Sequence, residues 1–502
     1  MPHRREQTKE LLRQLSSPFV QDKPRIGIVL AAGHGQRIRS ETSKMLHEIW
    51  GKPTVLRVAH AVQAGLESPN QVIVVGIMAD DVAHATHAQP GRAFAYQENP
   101  ALGLPAGTGD AVRVGLDAFP PASERHVYIF LGDMGLLTAS AVGHFRCEFE
   151  RGECDMMVLT GAYSGPTEQN SYGRILRVPS ADASGASSGA DEGKVIEIKE
   201  YKDILNLDGP YEIVYNGRPY TFPRDQLLET REINTGVFAF DESLLRAHIG
   251  DIQTDNAQGE LMLTDLVDIF NHSGKTVRAV QAESEEEILG FNLKSVWRQM
   301  DAIARRWAYE LLMDIITIVD DEDFFIDDAV IEQIVAMDKD QGPLDIVIGK
   351  GASIGPKVQF NRRVHIGDHC QLSGHIVLGE GVRLESGVHL SAYPEQTLVL
   401  EDGVEILTGN ILKGNLQVGR DSRIEARVIM TGSDEFPMRV GERVVIKGTS
   451  YLYGSIVEDD LLIEHSVIKC KHVEQVRRSD GSTQPIRYVL PQPEGLDSIA
   501  EL

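Results

Sequence analysis

From residue 348 onward, aliphatic side chains recur at every sixth position. The first run is Ile348, Ile354, Phe360, Ile366, Leu372, Leu378, Leu384 and Leu390. After a break the period returns at Leu400, Ile406, Leu412, Val418 and Ile424, then at Val440, Ile446 and Leu452. It shifts once more and ends at Leu462 and Ile468, and many of these residues are followed by Gly or Glu. A six-residue period with small turn residues predicts a parallel β-helix, in which three short strands make one coil. Inward aliphatics then stack into ladders and the core is nearly one-dimensional. The breaks near 391–399 and 430–439 are expected to be loops leaving the coil.

The first half reads differently. Residues 26–30, 71–76 and 127–131 are short apolar runs of the strand type. Between them lie helical patterns, for example Val55, Leu56, Ala59 and Val62 on one face. Alternating β and α segments predict a mostly parallel sheet covered on both sides, with ligands at the carboxyl ends of the strands. Residues 1–23 read as an amphipathic extension, with Leu11, Leu12 and Leu15 at helical spacing. Residues 180–193, rich in Ser, Ala and Gly, suggest a mobile loop. A helical pattern around 294–315 carries Trp297, Ile303, Trp307 and Leu311. At 502 residues the chain suggests two or three domains.

The net charge of −25 argues against nucleic acid or anionic membrane as a partner. The acid clusters at 283–287 and 320–323 read as solvated surface. Cys147, Cys154, Cys370 and Cys470 show neither metal-ligand spacing nor a framework of pairs, and are expected to be reduced, partly buried thiols. The amino-terminal segment carries no apolar signal, and no apolar run reaches the ~18 residues that span a membrane, so the cytoplasm is the expected compartment.

Chemistry concentrates after residues 26–30, in Leu30-Ala31-Ala32-Gly33-His34-Gly35-Gln36-Arg37, with Lys44 seven positions on. Gly33 and Gly35 let backbone N–H groups approach phosphate oxygens. Arg37 and Lys44 can neutralise charge on a departing pyrophosphate. A dinucleotide fingerprint would need a small residue where Ile38 stands, and no Gly-Lys-Ser/Thr triplet follows this glycine pair as an ATPase loop requires. Asp133 ends an apolar run after Gly132, where a carboxylate suits a hard cation.

This pattern resembles the signature of sugar-1-phosphate nucleotidylyltransferases. Gly107-Thr108-Gly109, Gly132-Asp133, Tyr172-Gly173-Arg174-Ile175 and Ile233-Asn234-Thr235-Gly236 continue the likeness in order. Asn256-Ala257-Gln258-Gly259-Glu260, with Leu263-Thr264-Asp265 beyond it, is similar to the uridylyltransferase half of the bacterial bifunctional enzymes making UDP-N-acetylglucosamine. The resemblance covers about 25–300. It implies an α/β fold, a Rossmann-like mixed-sheet nucleotidyltransferase domain followed by a left-handed β-helix.

The expected organisation is an extension 1–24, a nucleotidylyltransferase domain 25–293, a helical linker 294–340, a β-helix 341–476 and a tail 477–502. The resemblance implies attack by a sugar-1-phosphate oxygen on the α-phosphorus of a nucleoside triphosphate, UTP and N-acetylglucosamine-1-phosphate being the expected pair. It places Mg²⁺ on Asp133 and Asn292, Arg37 at the β- and γ-phosphates and Lys44 near the α-phosphate. Ala31, Ala32, Gly33 and Gly35 would lie along the nucleotide, with Gln97 and Gly107 at the base edge and Thr108 near its sugar. Gly173, Glu200 and Asn234 match positions that hold the amino sugar. About five extra residues separate Gln97 from Gly107, and 206–230 is extra as well. His34 and Leu131 depart from the residues common in the family.

In the bifunctional enzymes the β-helix also transfers acetyl, using a His in a Gly-His-Leu-Thr-Tyr-Leu-Gly setting and a downstream Asn-Tyr-Asp-Gly. Here the nearest match, 448–454, has Thr449 at the His position, and the second motif is missing. A neutral hydroxyl is no general base near pH 7, so acetyl transfer is expected to be absent. His365, His369, His375 and His389 read as coil-surface residues. The remaining role of the β-helix is assembly, a trimer by analogy. Two alternatives stand beside this reading: the same chemistry on dTTP or another sugar phosphate, and a non-catalytic scaffold.

Overall fold

The computed structural model describes residues 2–33, 38–122 and 124–488, and the chain divides into two compact units, residues 1–301 and 302–502.

In the first unit the strand Arg25–Ala31 is apolar and buried on both faces, so it lies inside a nine-stranded sheet. It pairs in parallel with Gln71–Val75 on one side, which in turn pairs with the edge strand Arg92–Tyr96. On the other side it pairs in parallel with His126–Leu131. The long strand Glu232–Asp241 then runs antiparallel between His126–Leu131 and Met156–Ala162, and Val277–Gln281 completes the order. The sheet is mixed, as expected. Helices Thr54–Gly65 and Ala139–Glu150 supply Val58, Val62, Phe145 and Phe149 to the core on one face. Helices Thr108–Leu116 and Leu266–His272 supply Val112, Leu116, Val267 and Phe270 to the other.

The amino-terminal extension is a helix, Pro2–Leu15, whose Leu12 is buried. Beyond it Ser17 N donates to Arg92 O at 2.8 Å and Phe94 N donates to Ser16 Oγ at 2.9 Å. The extension therefore covers an edge strand that would otherwise expose unpaired backbone groups. The stretch 180–193 is an irregular loop closed on itself, with Asp182 Oδ1 accepting from Ser184 N and Ala186 N. Within 206–230 lie the antiparallel hairpin Tyr211–Tyr215/Arg218–Phe222 and the helix Arg224–Glu229. They share a small core of Leu176, Ile196, Ile204, Tyr220, Phe222 and Leu227.

The second unit is a left-handed parallel β-helix of three sheets with eight, eight and seven strands. Ile348, Ile366, Leu384, Ile406, Ile424 and Ile446 stack in register up one sheet, all wholly buried. The first rungs, Thr317–Ile318 and Phe325–Ile326, lie in the stretch read from sequence as a linker, and the helix Asp328–Gln341 follows them. The breaks in the period are the turns 392–396 and 433–437. One register expectation is corrected. Ile463, not Leu462, faces inward, because the last coils shorten: the buried positions run Leu452, Val457, Ile463, Ile468, at steps of five or six. The thiols are also less uniform than expected. Cys370 is buried and Cys154 half-buried, whereas Cys147 and Cys470 are exposed, and all four are free.

Candidate active site

The carboxyl ends of Arg25–Ala31 and His126–Leu131 bring two segments together, since Gly132 N donates to Leu30 O at 2.9 Å. Ala31 and Ala32 are buried and Gly33 is exposed. Gly35 and Arg37 lie outside the described residues. Lys44 opens a short 3-10 turn, Lys44–Leu46, and is only 7% exposed. Its ammonium donates to the Asp133 carboxylate and, at 2.9 Å, to Asn292 Oδ1, and lies 5.5 Å from the centre of the Phe291 ring. A buried ammonium needs such partners, because its desolvation is otherwise prohibitive. Gly290 packs against Asp133, where a Cβ would stand 3.3 Å from Asp133 Oδ2. Phe291 is wholly buried, its ring centre 6.1 Å from that of His47, which in turn meets Trp297 edge-on at 5.0 Å.

Two oxygens thus converge on one positive charge. A carboxylate and an amide oxygen form a donor set that a hard divalent cation accepts, and the Lys44 ammonium stands in for such an ion. No group of three or more His, Cys, Asp or Glu residues that could hold a metal occurs among the described residues.

Gln97 follows the edge strand, and its backbone N–H donates to Val75 O at 2.9 Å. Its side-chain Nε2 donates to Gly107 O at 3.1 Å and to Asp110 Oδ2 at 2.9 Å. Gly107 has φ of 117°, and a Cβ there would stand 2.5 Å from Leu261 O, so only glycine fits. Thr108 Oγ1 accepts from Leu263 N at 3.0 Å.

Asn234 N donates to Gly173 O at 2.9 Å, and Asn234 Oδ1 accepts from Gly236 N at 2.9 Å. Glu200 follows the strand Val195–Lys199, and its Oε1 would lie 3.1 Å from a Cβ at Gly173. Burial, and then the neighbouring Asp203 carboxylate, push Glu200 up to about 7. Burial and the Glu197 carboxylate likewise push Asp265 up to about 6. The Tyr172 phenol is raised by burial and by nearby Asp133, so the Gly173 turn lies close to the Lys44 cluster.

The structure therefore joins Lys44, Asp133 and Asn292 directly, Gln97 with Gly107, and Gly173 with Glu200 and Asn234. The sequence analysis assigned no role to three supports. Asp110 is wholly buried and ties Gln97 to Asn99 at 2.6 Å; Phe291 backs the ammonium. Arg174, wholly buried, donates to Asn170 O at 2.8 Å and to Asn170 Oδ1 at 3.0 Å, shaping the turn before Gly173. Asp110, Arg174 and Phe291 sit directly beside Gly109, Gly173 and Asn292, and that adjacency was the available signal.

A mixed α/β sheet with these residues at its carboxyl edge, followed by a β-helix, together with the relatives below, makes this chain a sugar-1-phosphate nucleotidyltransferase. Residues 27–195 match the family of MobA-like NTP transferase domains. The bifunctional protein GlmU of Streptomyces griseus is 30% identical over 489 residues, covering 87% of this chain and 90% of that protein. GlmU of Streptomyces coelicolor is 31% identical over 439 residues, covering 87% and 78%. Among solved structures, a putative glucose-1-phosphate thymidylyltransferase from Bacillus anthracis matches at 18% identity and a TM-score of 0.39, over 56% of this chain and 95% of that one. The chain belongs to the GlmU family. It is a nucleotidyltransferase of the UDP-N-acetylglucosamine pyrophosphorylase type. No helix among the described residues is long and apolar enough to cross a membrane.

Proposed function

We propose that this enzyme joins UTP to N-acetylglucosamine-1-phosphate, releasing pyrophosphate and forming UDP-N-acetylglucosamine. The observation that carries the reading is the meeting of Lys44, Asp133 and Asn292, from three distant segments, at the carboxyl edge of the sheet. Asp133 and Asn292 are the residues that would hold Mg²⁺. Bound there, it would neutralise charge shared between the two phosphate groups.

The rest of the work falls to the chain. Both reactants are anions, so catalysis is alignment and charge neutralisation rather than proton transfer. With a cation on the Asp133 and Asn292 oxygens, the Lys44 ammonium would be released from them to meet the negative charge gathering on the α-phosphoryl oxygens. Arg37 would meet the β- and γ-phosphates, by its place in the motif. By their place in the motif, Ala31, Ala32, Gly33 and Gly35 would lie along the triphosphate. Gln97 is fixed by Asp110, which orients the amide toward the base edge with Gly107, and Thr108 sits beside them. Glu200 accepts from a sugar hydroxyl, and Gly173 and Asn234 complete that wall.

Acetyl transfer is proposed to be absent. Thr449 is exposed, and its hydroxyl donates to Gly448 O at 2.7 Å and lies 2.9 Å from His465 Nδ1. The hydroxyl itself is no general base near pH 7. Trimeric assembly through the β-helix and a cytoplasmic site of action complete the proposal.

The test is pyrophosphate release with Mg²⁺, crossing UTP, dTTP, ATP and GTP with N-acetylglucosamine-1-phosphate, glucosamine-1-phosphate and glucose-1-phosphate. Turnover confined to UTP and N-acetylglucosamine-1-phosphate supports the substrate assignment. Turnover with another pair replaces the substrate and keeps the chemistry.

A further inference from the structure

One loop of the first unit touches both substrate walls. At its far end Leu261 N donates to Ala106 O at 2.6 Å, Gly109 N donates to Leu261 O at 2.8 Å, and Leu263 N donates to Thr108 Oγ1 at 3.0 Å. Residues 261–263 therefore run along the 106–109 turn. At its near end Ala257 N donates to Asp203 Oδ1 at 2.8 Å, and Lys202 Nζ donates to Gln258 Oε1 at 2.9 Å. Lys202 and Asp203 belong to the helix Tyr201–Leu205, which begins directly after Glu200.

Between these ends the loop is a strut, not slack chain. Asn256 Oδ1 accepts from Gln258 N at 3.1 Å and Glu260 N at 3.3 Å, and its Nδ2 donates to Glu260 O at 2.7 Å. A cavity of about 430 Å³ lies against its near end, lined by Glu200, Asp203, Asn256, Ala257 and Asp265, whereas Leu263 at its far end is buried in the core of the sheet.

We propose that residues 256–263 couple the nucleotide wall to the sugar wall, with Asp203 as the positioning residue that transmits the coupling to Glu200. The inference rests on the assignment above of Gly107 and Thr108 to the nucleotide and of Glu200 to the sugar. A nucleotide seated on 106–109 fixes that turn, and through it the strut. The helix behind Glu200 is then held before the sugar arrives, so the second ligand meets a wall already ordered. Coupling of this kind is reciprocal.

The experiment is calorimetric binding of N-acetylglucosamine-1-phosphate to the full chain with Mg²⁺, with and without α,β-methylene-UTP, which cannot be cleaved. In the unmodified protein the analogue is expected to tighten sugar-phosphate binding by about 5- to 10-fold, near the low end of measured couplings. Asp203→Ala removes the acceptor for Ala257 N and should abolish the enhancement. Asp203→Asn keeps an acceptor oxygen and should retain it, although both variants remove the charge beside Glu200. A purely structural role would weaken sugar binding equally in the presence and absence of the analogue and leave the ratio unchanged. A ratio intact in Asp203→Ala, or no enhancement in the unmodified protein, overturns the proposal. Gln258→Ala, which loses only the Lys202 bond, should lower the ratio in part and serves if Asp203→Ala does not fold. Failure of either probe to bind at all removes the substrate assignment and this coupling with it.

Discussion

Asn292 accepts a hydrogen bond from the Lys44 ammonium at 2.9 Å across 248 positions of sequence, and the same ammonium donates to Asp133. The three residues act as one electrostatic unit, so removing the carboxylate strands the buried ammonium and should be felt in the fold as well as in the reaction. Asp133→Ala is expected to lower kcat for pyrophosphate release by 10²- to 10³-fold, about 3–4 kcal/mol of transition-state stabilisation. Initial rates at saturating substrates, with circular dichroism to confirm folding, provide the measurement; a loss under tenfold would remove Asp133 from the chemistry.

Glu200 sets a pH dependence. Burial and Asp203 push it up to about 7 from the ordinary 4.5, so it is largely protonated at pH 6 and largely ionised at pH 8. Apparent affinity for the sugar phosphate should therefore fall as pH drops from 8 to 6, and Glu200→Gln should flatten that dependence.

The same shift has a stability consequence of definite sign. Between about pH 4.5 and 7 the folded protein keeps a proton that the unfolded chain has released, so stability falls as pH rises through that window. Glu200→Gln should raise the melting temperature at pH 8 and change it little at pH 5. Equal shifts at both values would contradict the assignment.

Leu12 anchors the amino-terminal helix and is 3% exposed. Leu12→Ala is expected to destabilise the protein by about 2–5 kcal/mol, read from the urea midpoint. Lys9 of that helix pairs with Glu98, next to Gln97. A raised KM for the triphosphate in Leu12→Ala, with the sugar-phosphate KM unchanged, would follow from loosening that corner.

In the β-helix, Asn410 is wholly buried at a coil corner, donating to Leu407 O at 2.6 Å and accepting from Val428 N at 2.6 Å. Asn410→Ala leaves that buried N–H without its partner, which costs about 1–3 kcal/mol. Thermal unfolding should register the loss while pyrophosphate release stays unchanged.

Much of the fold was legible. The six-residue period marked the β-helix because each coil repeats one local rule, and apolar runs followed by small residues marked the strands that carry the site. The period failed at Leu462 for the same reason it worked elsewhere: once coils shorten to steps of five, counting by six points at the wrong face. The linker reading missed Thr317–Ile318 and Phe325–Ile326, since two-residue strands carry no pattern of their own until a neighbouring coil pairs with them.

The sequence by itself determined the apolar strand before the glycine motif, the carboxylate after Gly132 and the aliphatic ladders, because each is a short-range pattern with a direct steric or hydrophobic cause. Only the tertiary structure decided that Asn292 meets Lys44, that Asp110 fixes Gln97, and that one loop near residue 260 touches both proposed substrate walls. Those relationships join segments that share no periodicity, and the burial that makes them consequential exists only once the sheet has closed around them.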